Sequence, residues 1–301
     1  MNSVLTIQSH VVHGYVGNRA ATITLQLRGW DVDTLNSVQY SNHTGYGKFT
    51  GSKTSPDDIA AIYGTLKEHD FKYDAYLNGY LPSAEAVRQV GEIGKDLRKR
   101  NPDIVWLLDP VMGDEGQLYV NPDMVPVYRD ILLSGAVTLI TPNAFEASTL
   151  TELPVDNFED VRKVIDCLHE KFKVPHVVIS SVVVDEKLYT IASSQGEQAV
   201  VFELDRIDSY FSGTGDFFAA LTLDNFMRLK HEPNRLASAV ASSLETVQNV
   251  LKSTVTKSIS KGFKGKRGST EAMKHLELRI IEHRKEIMED MPQGHPFIAL
   301  D

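Results

Sequence analysis

The 301-residue chain carries a formal charge of −9, 42% hydrophobic residues and one cysteine. That length and apolar fraction suffice for one large α/β domain or two small ones, and the acidic balance excludes a general binder of nucleic acid or of membrane surfaces. A single cysteine, Cys167, excludes an internal disulfide; no apolar run approaches a membrane span, and the first twenty residues lack the basic start of a signal peptide, so the cytosol is the expected compartment.

Val4-Leu5-Thr6-Ile7 reads as a short buried strand that puts Ser9 at its carboxyl end, followed by a glycine-containing loop and a helix from Asn18 to Leu27 ended by Gly29. A second strand, Val32 to Val38, completes the strand, helix, strand unit of a parallel sheet. The loop Tyr40-Ser41-Asn42-His43-Thr44-Gly45-Tyr46-Gly47 mixes rings with hydroxyl and amide groups, a composition that suits either a flat polar heterocycle or an ordinary solvent turn. A helix over about Pro56 to Glu68 leads to a strand at Asp74 to Leu77, which runs out into Asn78-Gly79-Tyr80. A further helix, Ala84 to Lys99, leads to the strongest buried-strand signal, Ile104 to Leu108.

That strand stops at Asp109-Pro110-Val111-Met112-Gly113-Asp114, where two carboxylates flank a turn; they read either as solvated turn acids or as a pair sharing a nucleotide-bound Mg²⁺. After a helix around Pro122 to Leu132 and a strand at Val137 to Ile140 comes Thr141-Pro142-Asn143-Ala144-Phe145-Glu146. Here Asn143 and Glu146 stand at capping-box positions, though a capped helix aimed at a cleft also serves phosphate or metal. The helix Glu159 to Phe172, which contains Cys167 beside an apolar stripe, precedes a strand at Val177 to Ile179 ending in Ser180-Ser181. Leu188 to Ala192 and Ala199 to Leu204 are expected to form an antiparallel edge.

Phe211-Ser212-Gly213-Thr214-Gly215-Asp216-Phe217-Phe218 joins a turn that only glycine tolerates to an apolar helix start. Glycines on both sides of Thr214 allow positive φ and close approach of a ligand, and the helix beyond presents unpaired N–H groups, an anion site. No Lys-Ser or Lys-Thr follows the second glycine, so it is not a Walker A loop, and Phe218 stands where a dinucleotide fingerprint needs its third glycine. Asp216 in this position reads as a base beside a transferring phosphoryl group or, more simply, as a helix cap; at a helix N-terminus it is expected to stay ionised and act as a weak base.

Polar groups at four apolar strand ends, Ser9, Asp109, Thr141 with Asn143, and Ser180 with Ser181, fall on the carboxyl edge where open α/β sheets bind ligands. A helix from Asn234 to Leu251, a basic linker over Lys252 to Arg267 and a final amphipathic helix from Glu271 to Glu289 close a chain with no internal repeat, most simply one domain.

Gln8-Ser9-His10, Gly14-Tyr15-Val16-Gly17-Asn18, Asn36 through Tyr46, Asp109 through Asp114, Thr141-Pro142-Asn143 with Glu146, and Gly213-Thr214-Gly215-Asp216 together resemble the pyridoxal kinase family of the ribokinase-like superfamily, over about residues 4 to 229. Leu276-Glu277-Leu278-Arg279 is similar to that family's last helix. The resemblance implies a three-layer α/β/α sandwich around a mostly parallel sheet, usually a homodimer, and ATP-dependent phosphorylation of the 5′-hydroxymethyl group of pyridoxal, pyridoxine or pyridoxamine.

By the same resemblance Asp216 is the base and Gly213, Thr214 and Gly215 form the anion hole, while Ser9, Thr44 and Tyr80 line the pyridine ring. Asp109, Asn143, Thr141, Ser180, Ser181, Thr214 and Tyr119 attend the nucleotide, and Asp109, Asp114, Glu146 and Thr141 serve Mg²⁺ or another divalent cation and K⁺. The loop after Asp114 is shorter than in animal members of the family. A hydroxymethylpyrimidine or sugar kinase would keep the Gly-Thr-Gly-Asp turn without needing the Tyr40 to Tyr46 loop, and a non-catalytic regulator of this fold would be free to lose Asp216.

Overall fold

The computed structural model describes residues 1–263, 270–289 and 294–300. The chain opens with β1 (Ser3–Val11), α1 (Asn18–Leu27), β2 (Asp31–Tyr40), β3 (Gly51–Lys53), α2 (Pro56–Glu68), β4 (Ala75–Asn78) and α3 (Ala84–Arg100). It continues through β5 (Val105–Leu108), a hairpin of β6 (Gly113–Asp114) and β7 (Gln117–Leu118), α4 (Met124–Leu133), β8 (Leu139–Ile140), α5 (Ala144–Thr151) and α6 (Phe158–Asp166). The second half holds β9 (His176–Val184), β10 (Lys187–Ser194), β11 (Val200–Leu204), α7 (Thr214–Arg228), α8 (Arg235–Ser260), α9 (Thr270–His275), α10 (Arg284–Met288) and β12 (Ile298–Ala299).

Among the described residues one sheet runs in the order β12-β11-β10-β9-β8-β5-β4-β1-β2-β3, parallel from β9 to β2 and antiparallel at both margins. Alternation along its inner strands sets the layers. Tyr76, Trp106 and Leu108 enter one apolar cluster with α2, α3 and α4, whereas Ala75, Leu77, Val105 and Leu107 enter another with α1, α7 and α8. The result is the expected three-layer sandwich.

Helix starts follow from their caps: Ser55 ahead of Pro56, Ser83 and Asn157 each accept a first-turn N–H. Strand order reverses at β1, whose neighbours are β2 on one side and β4 on the other, so a crevice opens at the carboxyl ends there. No helix among the described residues is long and apolar enough to cross a membrane.

Several boundaries depart from the sequence reading. β1 runs on through Ser9, with an irregularity between Gln8 and His10, and β9 runs on through Ser180 and Ser181, the latter at φ 58°. The helix containing Cys167 becomes π-helical over Cys167–Lys171. α8 continues to Ser260, well into the stretch expected to be linker, because Thr254 and Ser258 bury against the body; residues 264–267 of that stretch lie outside the described residues. The final helix is two short ones, since Leu276, Leu278 and Ile280 alternate into the core as an extended segment.

At the amino end of β9, His176 hydrogen-bonds Ser194 at 3.0 Å and meets the Phe226 ring edge-on, with the Arg235 guanidinium over that same ring. Burial, then the charges of Arg235 and His169, pushes its pKa down to about 4. A depressed histidine contributes stability that is full above the unfolded value near 6.5 and is lost as pH falls through about 4. Unfolding free energies between pH 4 and 7 should therefore fall less steeply in His176→Gln than in the parent, by roughly 1–2 kcal/mol after discounting for partial exposure; equal slopes would show that His176 is not the titrating group.

Candidate active site

The turn before α7 is built by steric exclusion. Gly213 lies at φ 80°, and a Cβ there would sit 1.9 Å from the Tyr15 carbonyl oxygen. Gly17, at φ 54°, is held equally closely against Ser9, where a Cβ would lie 2.0 Å from the carbonyl oxygen. The loop after β1 and the turn before α7 thus interlock through backbone. Only the first of the two turn glycines has positive φ: Gly215 is already helical, and its Cβ direction opens into a cavity whose nearest atom is Asp109 Oδ2, 3.7 Å away. Its lack of a side chain leaves space for a ligand; it does not relieve strain.

The helix begins at Thr214 with Gly213 as N-cap and no side chain capping it, which leaves its positive end for a ligand. Asp216 is therefore in the first helical turn and is not the cap. Its carboxylate takes hydrogen bonds from the N–H of Gly17 and from its own N–H, which favour the anion, but burial outweighs them and raises its pKa above the ordinary carboxylate range. It is a stronger base than its helix-terminal position alone implies.

Asp109, at the end of β5, is buried, and its pKa is pushed well up by burial and by the charges of Glu146 and Asp216. Glu146 completes a capping box with Asn143: Asn143 Oδ1 accepts the Glu146 N–H at 2.8 Å, and Glu146 Oε2 accepts the Asn143 N–H at 2.9 Å. Glu146 Oε1 also accepts the Met112 N–H at 2.8 Å, and Asn143 Nδ2 donates to the Gly113 carbonyl at 2.8 Å. These bonds fix the Asp109 to Asp114 turn. Burial nevertheless pushes Glu146 up to about 7. Among the described residues no three carboxylate, imidazole or thiolate groups converge closely enough to chelate an ion unaided. A cation here would draw its remaining ligands from phosphate and water.

All fifteen residues singled out from the sequence line one cavity of about 750 Å³. At one end are Ser9 and Thr44, from β1 and the turn following β2, with Tyr80 just past β4. The middle holds Asp109, Asp114, Thr141, Asn143, Glu146 and the Gly213-Thr214-Gly215-Asp216 turn. Ser180 and Ser181 lead to the other end, and Tyr119 stands exposed beside the β6–β7 hairpin. That hairpin turns through Glu115 and Gly116, both at positive φ, so the short loop is an ordered two-residue turn.

Sequence reasoning missed the walls. Leu188, Thr190 and Leu204 of the antiparallel margin, with Leu244, Val247 and Leu251 of α8, make an apolar slot beyond Ser181. At the opposite end Val38, Tyr40 and Phe49 form a second apolar wall. His43 also lines the cavity; its Nδ1 accepts the Gly45 N–H at 3.1 Å, and burial lowers its pKa, which keeps that nitrogen an acceptor.

The cavity therefore has two ends with different walls, joined at a helix N-terminus that carries a half-buried carboxylate. The family model that matches residues 26–264 is that of phosphomethylpyrimidine kinase. A putative pyridoxal kinase of Saccharomyces cerevisiae, BUD16, is 43% identical over 298 residues, covering 94% of this chain and 94% of that one. The pyridoxal kinase of Ovis aries is 38% identical over 301 residues, again with 94% of each chain covered. The structure of pyridoxal kinase from Leishmania donovani in complex with ADP and pyridoxamine superposes over the whole of both chains, with a TM-score of 0.87 at 31% identity. Similarity spanning almost the full length of these proteins, together with the cavity and turn just described, makes this chain a member of the pyridoxal kinase family.

Proposed function

We propose that the cavity transfers the γ-phosphoryl group of ATP to the 5′-hydroxymethyl group of pyridoxal, and of pyridoxine and pyridoxamine, giving the 5′-phosphate. The observation that carries this reading is the position of the Gly213-Thr214-Gly215-Asp216 turn between the two ends of a single cavity. The ring lies at the end with Ser9, Thr44 and Tyr80, and the nucleotide occupies the end with Ser180, Ser181 and the apolar slot.

Phosphoryl transfer asks the protein for alignment and charge stabilisation more than for covalent chemistry, and alignment alone is worth about 7–11 kcal/mol. The N–H groups of the turn and the positive end of α7 face the equatorial oxygens, and the bare Cα of Gly215 lets them approach. Asp216 takes the alcohol proton as the new O–P bond forms and the bond from the γ-phosphorus to the β–γ bridging oxygen breaks, releasing ADP. Thr214 Oγ1 is buried with no protein partner, and so is placed to donate to a phosphate oxygen or to coordinate a cation.

The acid set fits a divalent cation. Asp109, Glu146 and Asp216 raise one another's cost in the absence of positive charge, and a phosphate chain would raise it further. Asp109, Asp114 and Thr141 would hold Mg²⁺, which supplies charge neutralisation at the phosphates; Glu146, whose oxygens already accept backbone N–H groups, acts through water. Asn143 is occupied by the capping box, and so supports the nucleotide by fixing the turn. A K⁺ ion and a homodimer follow from the family resemblance, and a cytoplasmic location from the single cysteine.

Incubating the protein with Mg-ATP and pyridoxal, with formation of the 5′-phosphate followed by absorbance, tests the reaction. A hydroxymethylpyrimidine arm is included because of the matching family model. Turnover of pyridoxal well above the pyrimidine is expected, and preference for the pyrimidine would transfer the assignment to that branch. Sedimentation of the same sample reads the dimer.

A further inference from the structure

The loops that form the vitamer end carry little regular structure, yet they are tied to one distant stretch of chain. Glu277, between α9 and α10, places one carboxylate oxygen 2.5 Å from the Tyr46 hydroxyl and the other 3.1 Å from the Tyr15 backbone nitrogen. Both groups donate to it, so a single side chain clasps the loop after β1 to the turn after β2. Tyr46 also donates to the Met273 carbonyl at 3.3 Å.

The loops are shaped to receive this stretch. A Cβ on Gly14 would lie 2.5 Å from the Glu277 carboxylate, and one on Gly45 would lie 2.3 Å from the Met273 methyl carbon. Ser212, next to the catalytic turn, donates to Met273 sulfur at 3.5 Å and lies 3.4 Å from His43 Nδ1. Glu277 itself cannot drift, because Leu276 and Leu278 on either side are buried and the Arg279 N–H is bonded to Thr254 of α8 at 3.4 Å.

Neither Tyr46 nor Glu277 lines the cavity, whereas their neighbours Val16, His43, Thr44 and Gly45 do. We infer that Glu277 is a positioning residue for vitamer binding: through Tyr46 and Tyr15 it holds the two loops in their ligand-ready arrangement before the vitamer arrives, so that binding does not have to order them. This rests on the vitamer reading of that end of the cavity. The nucleotide end is built on β9, β10, β11 and α8; α8 meets this stretch at the Arg279 N–H, a backbone contact that a substitution at Glu277 or Tyr46 leaves in place, so the effect should be confined to one substrate.

The test is steady-state kinetics with each substrate varied in turn, together with ADP affinity by calorimetry. Glu277→Ala should raise KM for pyridoxal about tenfold or more, the scale of a lost hydrogen bond to a charged group, with KM for ATP and ADP affinity within about twofold because the bonds lost are those to Tyr46 and Tyr15 at the vitamer end. Glu277→Gln, which keeps an acceptor for the Tyr15 N–H and an amide donor for the Tyr46 oxygen, should restore most of the loss. Tyr46→Phe removes one oxygen and nothing else; it should raise the same KM about threefold and adds little on top of Glu277→Ala. Because Tyr46→Phe will fold even where Glu277→Ala does not, an unchanged pyridoxal KM in that variant overturns the inference. An equal loss for both substrates also overturns it, since that is what general destabilisation would give. Failure of the parent enzyme to phosphorylate pyridoxal at all would instead remove the vitamer reading, and this inference with it.

Discussion

Asp216→Asn should fold, bind both substrates and lose about 10²- to 10⁴-fold in kcat, the usual contribution of a positioned general base. The substitution is close to isosteric, and the amide oxygen can still accept the Gly17 N–H that now helps hold the carboxylate. What it cannot do is take a proton. The pH profile separates this role from a merely structural one. Burial raises the Asp216 pKa, so the acid limb of kcat, where the base becomes protonated and activity is lost, should lie above the ordinary carboxylate range. In the asparagine variant that limb should vanish from whatever activity remains. A variant with kcat within about threefold of the parent would remove Asp216 from the mechanism, because no general base contributes so little.

The inner strands and the Gly213-Thr214-Gly215-Asp216 turn were legible because their signals are local. Buried parallel strands are continuous apolar runs, and Asp109, Thr141 and Asn143 mark the points where such runs stop. Gly213 was readable for a related reason, since a positive φ at a strand-to-helix turn selects glycine within a few residues. Gly215 resembles it in the sequence but has a different cause, space left for a ligand, and spacing alone cannot separate the two.

The apolar slot was not legible. Leu244, Val247 and Leu251 repeat at helical spacing, and a helical stripe has the same pattern whether it faces a core or a cavity. Ser180 and Ser181 look like a strand end because polar residues interrupt the apolar run, yet β9 continues past them through an irregularity in its pairing with β10, with Ser181 at positive φ. The C-terminal segment held a usable signal that competed with another. Leu276, Leu278 and Ile280 alternate strictly, which predicts extended chain, but the charged residues around them also fit an amphipathic helix. The role of Glu277 left no local trace, because its partners are 231 and 262 residues away.

The two turn glycines should respond to substitution in opposite ways, and the contrast tests the anion-hole assignment. At Gly215 the nearest heavy atom to an added Cβ is Asp109 Oδ2 at 3.7 Å, ordinary contact, and the backbone is helical. Gly215→Val should therefore fold with a melting temperature within a few degrees of the parent, while its branched side chain fills the space that phosphate oxygens need. Losing the aim of even one donor in such a hole costs about 10²- to 10³-fold in kcat, so turnover should fall at least that far. ADP affinity should fall as well. At Gly213 even alanine must push the Tyr15 carbonyl from 1.9 Å and adopt positive φ. Gly213→Ala should thus lose stability by about 1–3 kcal/mol as well as activity, because the loop carrying Val16 and Gly17 has to move. Calorimetric melting and kcat measured on both variants distinguish the cases. A Gly215→Val protein that turns over normally would mean that phosphate does not pass over this helix end. A Gly213→Ala protein with unchanged stability would mean that the interlock with Tyr15 is not what fixes the turn.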